Sequence, residues 1–497
     1  MHPPEQSPSA GRKVDGVMDA VRARIASRAL VQGTRLPSIR ACARAMGVSK
    51  STVVEAYDRL AADGVIRARR GAGFYVAAHA PPLDLAGIAP RLERAVDPLW
   101  VSRQALDGAA SVGSPGCGWL PADWLPQQAL RRGLRGIARA SAEELADYAT
   151  PQGSPALRAL LARRLAERGI DAPPARIVLS RGVTQAVDLL CRLLLEPGDV
   201  VLVDDPCYFN FLALLRAHRV RVVSLPRDAA GPDLSAFESA LREHRPRLYL
   251  TQSALHNPTG GSLSAPLAHR LLQLAEQTGL TIIEDDIYAD LDATAVPRLA
   301  AFDGLRRVVY VGGFSKTVSA AARCGFIALR EDWVEPLLDL KVATSFGDDR
   351  IAAALVHGVL ADGGYRRHLE GLRERLALAT GQTLRRLRGL GLSCAAPPAG
   401  GLFLWCALPS GIDSAELARR ALARGLLLAP GNVFSASQGC AGHVRVNVSQ
   451  CQRPEVFERL EQALEDCARA GDAGAGISAR NLAAGAPPSR RSGSPGR

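Results

Sequence analysis

The chain has 497 residues, 47% of them apolar, and a formal net charge of +12, enough length for more than one domain and enough apolar surface for large cores. No run of about 18 apolar residues occurs, and the opening residues MHPPEQSPSAGRK lack the apolar segment of a secretory signal, so no membrane insertion and a cytoplasmic location are expected. Ten cysteines are scattered from Cys42 to Cys467 without a CxxC pair or a Cys/His cluster at metal spacing, which fits reduced, mostly buried thiols rather than disulfides or zinc, and no structural metal is expected.

Charge is unevenly spread: residues 1–76 carry 13 Lys+Arg against 6 Asp+Glu, residues 468–497 carry 5 against 1, and the 391 residues between them carry a net +1. A basic head on a nearly neutral body predicts a polyanion partner for the head and a small ligand for the body, although a solvated basic face would explain the charge equally well. From Val14 to Ala29 apolar residues recur at helical spacing. Pro37-Ser38 then opens a second helix, IRACARAM, with Ser38 as N-cap and Gly47 as its end. A tight turn, Gly47-Val48-Ser49, leads to a third helix, KSTVVEAYDRLAADG, capped by Ser49 and stopped by Gly64. Two helices meeting across such a turn make a helix-turn-helix. VIRARR and FYVA then flank Gly71-Ala72-Gly73 as a hairpin with a basic tip.

The run LPSIRACARAMGVSKSTVVEAYDRLAADGVIRARRGAGFYV resembles the DNA-binding domain of the GntR regulators, a mostly α winged helix-turn-helix, and residues 12–78 are assigned to it. Independently of that likeness, Ser49, Lys50, Ser51 and Thr52 open the third helix, where free N–H groups and short hydroxyls can meet phosphates and base edges. Lys50 is the expected base reader. Ser38 and Arg40, at the start of the second helix, would meet backbone or bases. Arg70 in the wing would approach the minor groove, with Gly71 letting main chain come close. Plain capping explains Ser38 and Ser49, and a solvated charge explains Arg70, if each is taken alone. Helix order, turn and wing in register predict binding to double-stranded DNA.

Residues 79–112, with prolines at 81, 82, 90 and 98, read as a linker with at most one short helix. Residues 468–497, rich in Gly, Ala, Ser, Pro and Arg, read as a disordered tail. Between them, residues 113–467 alternate β-prone runs with helical ones: RIVLS, VVLVD, VRVVSL, RLYLT, TIIEDD and RVVYVGG each precede or follow an amphipathic stretch. That rhythm predicts an α/β domain whose parallel sheet is wrapped by helices. After Gly325 come long helices around 349–388 and strands near GLFLWCAL and HVRVNV, a smaller C-terminal α/β subdomain.

Candidate ligand residues fall at the strand ends of that sheet, where such folds bind ligands. Gly182-Val183-Thr184-Gln185 stands between strand and helix, so its N–H groups and the Thr184 hydroxyl suit a phosphate, as many α/β loops do. Tyr208 offers a stacking plane or a core aromatic. Asn257, in HNPTG, is a turn residue whose amide can donate to a phenolic oxygen. EDDIYADL ends a strand with Asp285, Asp286 and Tyr288; a buried carboxylate needs a partner such as a protonated ring nitrogen, which Asp285 could meet. Only four lysines stand beside 57 arginines, and Lys316 sits in GGFSKTVSAAARCGF with Arg323 seven places on. Arginine cannot form a Schiff base, so a lysine retained here points to amine chemistry. The other body lysine, Lys341 in EPLLDLKVA, reads as an exposed helix residue.

Asn-Pro-Thr-Gly, then Asp-x-x-Tyr, then Ser-Lys with Arg seven further on resembles the fold-type I aminotransferases that bind pyridoxal 5'-phosphate. The resemblance implies that Lys316 holds the cofactor through its amine and acts catalytically. It implies that Asp285 keeps the ring nitrogen protonated, that Asn257 and Tyr288 bind the ring oxygen, and that Tyr208 stacks on the ring. Arg323, Ser315, Thr184 and the Gly182, Val183 and Thr184 backbone would neutralise the phosphate. Arg445, in HVRVNVS, matches the arginine that clamps a substrate carboxylate. Two departures stand out: Gly313 lacks the Ser or Thr hydroxyl usual three places before the lysine, and Val183 lacks one often found in the glycine loop. Weaker phosphate affinity is expected from the loss.

A GntR-like head, a tether and an aminotransferase-like body together resemble the MocR/GabR regulators. The likeness implies a homodimer that binds DNA as a transcriptional regulator and senses pyridoxal phosphate, an amino-acid or amine effector, or both. The alternative is an aminotransferase acting on an amino acid with an accessory DNA-binding head. A further one is a repressor that senses the cofactor alone.

Overall fold

The computed structural model describes residues 10–26, 30, 33–69, 73–77, 98–108, 111–294, 296 and 298–483. The chain divides into two compact units, residues 1–94 and 95–497.

In the first unit, helix α1 (Ala10–Ala26), helix α2 (Ile39–Met46) and helix α3 (Lys50–Ala62) precede an antiparallel hairpin of β1 (Ile66–Arg69) and β2 (Gly73–Val76). Val14, Val17, Val21 and Ile25 form one stripe of α1, and Val53, Ala56, Tyr57 and Leu60 one stripe of α3. Both stripes are buried with Leu36, Ile66 and Val76 in a single core. Gly47 ends α2 in the left-handed region at φ 62°, a conformation that glycine adopts without steric cost. The hairpin tip, residues 70–72, lies outside the described residues, and so do Arg70 and Gly71.

The second unit is built on a seven-stranded sheet. Its strands are β3 (Ile177–Ser180), β4 (Val200–Asp205), β5 (Arg221–Pro226), β6 (Leu248–Thr251), β7 (Thr281–Asp285), β8 (Val308–Gly313) and β9 (Gly325–Ala328), in the order β3-β9-β8-β7-β6-β4-β5. Both faces are covered. Leu202, Tyr249, Ile282 and Tyr310 enter one buried layer, while Val203, Leu250, Ile283 and Val311 enter the other, as alternation along doubly covered strands requires.

The sheet is not wholly parallel, contrary to the reading from the repeating pattern. β9 runs antiparallel to both β3 and β8. Residues 314–324 between β8 and β9 form no α-helix, and a connection that short does not return the chain for parallel pairing. A smaller antiparallel sheet follows, β10 (Phe403–Ala407), β11 (Ala429–Pro430) and β12 (His443–Asn447), with β12 central. It packs with the long helix Gly364–Gly389 on a separate apolar cluster.

One short helix, Pro98–Leu106, lies in the stretch read as a linker, whose residues 79–97 lie outside the described ones. Two other expectations change. The last helix runs from Pro454 to Ala483 and so enters the stretch read as a disordered tail, whose residues 484–497 lie outside the described ones. Lys341 is a fully buried residue of helix Val334–Ser345, not an exposed one. Its ammonium donates to the Pro151 carbonyl at 2.6 Å and the Leu179 carbonyl at 2.7 Å, and meets Asp348 at 3.4 Å. Those partners are what allow a charge there.

Candidate active site and candidate nucleic-acid interface

Parallel strands β4, β6, β7 and β8 end on one edge of the sheet, and their following loops converge on a cavity. Val183, Thr184, Tyr208, Asp285, Tyr288, Ser315, Lys316 and Arg323 all line it. Gly182 precedes helix Val183–Leu194 at φ 90°, and a Cβ added there would sit 3.0 Å from the Arg323 guanidinium. Glycine therefore lets arginine approach a helix N-terminus, a place suited to an anion.

Asp285, at the end of β7, is almost wholly buried. Its two oxygens accept from Gln252 Nε2 at 2.8 Å and from the Ile287 N–H at 3.0 Å. Burial pushes its carboxyl up to about 7, and these hydrogen bonds only partly oppose the rise. A carboxylate so enclosed gains most from a cation at the cavity.

Lys316 follows β8 and donates to the Gly118 carbonyl at 2.6 Å. Burial first, and then the nearby Arg445 charge, pull its amine down to about 8. Tyr288 is buried, and its hydroxyl accepts from Asn257 Nδ2 at 3.4 Å. Asn257 Oδ1 in turn accepts from Arg445 at 3.0 Å.

Arg445, on β12, is buried to 1% exposure. Among the described residues its other donations reach only the Gly116 carbonyl, at 2.6 Å, and its Nε has no partner. Phe403 lies beneath the guanidinium at 4.2 Å and Phe434 at 5.0 Å. No carboxylate pairs with it among the described residues. Burial lowers its pKa. A desolvated guanidinium held by carbonyls and aromatic faces is a receptor for a carboxylate.

The structure thus joins every residue expected at this site: eight line the cavity, Gly182 abuts Arg323, and Asn257 links Tyr288 to Arg445. Reading the sequence missed Gln252, which donates to Asp285 and accepts from the Asn257 N–H at 2.9 Å. Its position just after the strand RLYLT and on the Asn257 loop was the available signal. Phe403 was missed too, since an aromatic on a strand reads as core.

In the first unit, Ser38 caps α2 by accepting from the Ala41 N–H at 3.3 Å. Ser49 caps α3 by accepting from the Thr52 N–H at 3.1 Å, and its hydroxyl also meets those of Ser51 and Thr52, each at 2.8 Å. Lys50 and Ser51 are exposed at the same helix start, and Arg40 is exposed on α2. The hydroxyl cluster therefore has a structural use whether or not it touches nucleic acid.

Fold and site together define a pyridoxal-phosphate-type aminotransferase body in a chain that also carries a helix-turn-helix head. Residues 121–463 match the aminotransferase class I and II family and residues 13–76 the gntR family of bacterial regulatory proteins. The HTH-type transcriptional regulator YisV of Bacillus subtilis (strain 168) is 28% identical over 88% of this chain and 92% of its own length. The probable rhizopine catabolism regulatory protein MocR of Rhizobium meliloti is 29% identical over 72% of this chain and 74% of its own. Among solved structures, LysN, the alpha-aminoadipate aminotransferase of Thermus thermophilus complexed with N-(5'-phosphopyridoxyl)-L-leucine, superposes with a TM-score of 0.68 at 28% identity. That match covers 74% of this chain and 95% of LysN. The chain belongs to the aminotransferase class I and II family and, with its gntR-type head, to the MocR/GabR-like subfamily of GntR regulators.

The cofactor implied by this fold is pyridoxal 5'-phosphate. The residues fit it: an enclosed Asp285 that forms no ion pair among the described residues, a part-buried amine at Lys316 and a guanidinium at a helix N-terminus answer its ring nitrogen, aldehyde and phosphate. No helix among the described residues is long and apolar enough to cross a membrane.

Proposed function

We propose that this chain is a DNA-binding transcriptional regulator whose aminotransferase-like body responds to pyridoxal phosphate and to an amino-acid or amine effector. The observation that carries the effector half is Arg445, buried with no carboxylate partner among the described residues and hydrogen-bonded to the Asn257 that contacts Tyr288. When bound, the cofactor supplies an aldehyde for amines and an electron-withdrawing ring. Lys316 would hold it and, once released, move protons through an amine that is half neutral near pH 8. Asp285 would keep a proton at the ring nitrogen, with Gln252 fixing the carboxylate. Asn257 and Tyr288 would bind the ring oxygen, and Tyr208 would stack on the ring. Gly182, Val183, Thr184, Ser315 and Arg323 would bind the phosphate, and Arg445 the effector carboxylate.

For the head, Lys50, Ser49, Ser51 and Thr52 would meet DNA at the start of α3, with Ser38, Arg40, Arg70 and Gly71 around it. For the body, a second copy of the chain is the proposed partner. Leu145 and Ile351 are exposed on a groove between helices Gln127–Ile137 and Arg350–Ala361. The ring pair Tyr148 and Phe346, 4.9 Å apart, is exposed to 77% and 63%. Apolar surface of that kind is what a dimer covers.

Titrating operator DNA with the full chain, with and without pyridoxal phosphate and a panel of amino acids, tests this reading. A change in affinity or footprint on ligand addition, lost in Lys316→Ala, supports it. Unchanged binding for every ligand overturns it. Steady-state transamination on the order of 1–10³ per second without DNA retention would instead favour the enzyme reading, to which the likeness to LysN lends its support.

A further inference from the structure

Outside the site, two cysteines face each other across a strand edge. Ser393 and Ala407 exchange both backbone hydrogen bonds, Ser393 N to Ala407 O at 3.1 Å and Ala407 N to Ser393 O at 2.7 Å, in an antiparallel bridge. The next pair in that register is Cys394 with Cys406. Such a non-hydrogen-bonded pair has its Cα atoms about 4.5 Å apart, within the span of about 4.4–6.8 Å that a disulfide bridges. Both side chains point away from Ala407 and toward the small subdomain's apolar cluster, where Cys406 is buried and Cys394 half-buried. The neighbouring Cys406 thiol pulls the Cys394 thiol down to about 7 against the effect of burial. Main-chain hydrogen bonds at Trp405 and Ala396, and the Arg388 charge, act in the same direction. A thiolate reachable by solvent beside a buried thiol is the arrangement of an attacking and a resolving cysteine.

The segment between the two sulfurs packs on the candidate site. A Cβ on Gly260 would lie 2.6 Å from Pro398 Cβ, and one on Gly401 would lie 3.6 Å from Leu255 Cδ2, so the segment rests on both ends of the loop that carries Asn257. Phe403 lies within the same segment and under Arg445. A covalent bond between residues 394 and 406 would close this segment into a ring in the conformation that touches the site.

We propose that Cys394 and Cys406 form a peroxide-responsive dithiol that closes to a disulfide and tightens the grip of the adjoining site on its cofactor. The Cys394 thiolate attacks a peroxide oxygen, the O–O bond breaks, and a sulfenic acid and water form. The Cys406 thiol then attacks the Cys394 sulfur, the S–S bond forms and the sulfenic oxygen leaves as a second water. The two thiols lose two electrons and two protons in all, and hydrogen peroxide is reduced to two waters. The cofactor half of the proposal rests on the reading of the body given above; the disulfide half does not.

The test treats the full-length protein, with bound pyridoxal phosphate, with hydrogen peroxide and counts thiols after denaturation. Two of the ten are expected to disappear, a Cys394–Cys406 linked peptide to appear, and dithiothreitol to restore both thiols. Cys394→Ser, a change at a half-buried position, should keep its remaining thiols, Cys406 included. The apparent Kd for pyridoxal phosphate, read by absorbance, should fall about fivefold on oxidation of the wild type and not at all in Cys394→Ser. Equal thiol loss in that variant, or no linked peptide, overturns the dithiol. A linked peptide with an unchanged or raised Kd overturns the coupling to the site. A protein that takes up no pyridoxal phosphate in either state instead overturns the reading of the body, with the thiol count still answering for the pair.

Discussion

Val183 fills the space that a side chain on residue 313 would need: its Cγ2 methyl lies 3.2 Å from the Cβ position of Gly313, with Ile287 Cδ1 at 2.9 Å. The two departures from the aminotransferase pattern are therefore one packed change, an apolar contact where two hydroxyls would otherwise flank the phosphate end of the cavity. Gly313→Ser alone should crowd Val183 and Ile287 and weaken cofactor binding. Val183→Ser/Gly313→Ser should relieve part of the crowding and add donors, binding the cofactor about tenfold tighter than the wild type, at roughly 1.5 kcal/mol for a hydrogen bond to a charged group. A double-mutant cycle on pyridoxal phosphate affinity checks this, and additivity of the two single effects would refute the shared space.

Gln252 joins the two ends of the ring site by donating to Asp285 and accepting from the Asn257 N–H. In Gln252→Leu that N–H loses its partner and the Asp285 carboxyl, already raised to about 7 by burial, rises further because a hydrogen bond that lowers it is gone. Asp285 would then be ionised less often at neutral pH. Cofactor affinity should fall about tenfold or more. Comparing spectrally monitored titrations at pH 6.5 and 8.5 separates the causes, since a carboxylate effect shrinks at the higher pH and a merely structural one does not.

Much of this was legible in the sequence, for identifiable reasons. Asn257, Asp285, Lys316 and Arg323 stand at strand ends, and strands buried on both faces show as short apolar runs such as TIIEDD and RVVYVGG. Capping made α2 and α3 readable, because Ser38 and Ser49 mark helix starts chemically. The antiparallel β9 was not readable, since four buried residues carry no sign of strand direction. Gln252 was hidden because its role lies in partners from other loops. Lys341 was a different failure: it stands four residues after buried Leu337 on one helix face, so the spacing pointed inward while the charge pointed outward.

Spacing prevailed at Lys341 because carbonyls of Pro151 and Leu179 and the Asp348 carboxylate meet its ammonium. Lys341→Met should leave Asp348, itself 4% exposed, without its cation. Breaking one side of a buried pair costs about 3–5 kcal/mol. Chemical denaturation of the body should register that loss. Lys341→Met/Asp348→Asn should recover part of it, and a single variant as stable as the wild type would show that the pair contributes little.

Lys316 gives the site a pH signature whose sign is fixed by its surroundings. Burial and then the Arg445 charge lower its amine from the ordinary 10.5 to about 8. Between these values the unfolded chain holds a proton that the folded chain does not, so this amine's contribution to the stability of the cofactor-free protein rises as pH increases from about 8 to 10.5. Below 8 its cost is constant. The same shift sets reactivity, because only the neutral amine attacks an aldehyde. The initial rate of covalent pyridoxal phosphate uptake by cofactor-free protein, corrected for the ligand's own titration, should level off above about pH 8 and fall about tenfold per pH unit below it. Arg445→Gln removes the larger of the two arginine charges that act with burial, Arg323 being the other, and should move the midpoint upward. A midpoint near 10.5 in the wild type would mean that the amine is not enclosed as the structure has it, and one unmoved in Arg445→Gln would show that the Arg445 charge does not act on it.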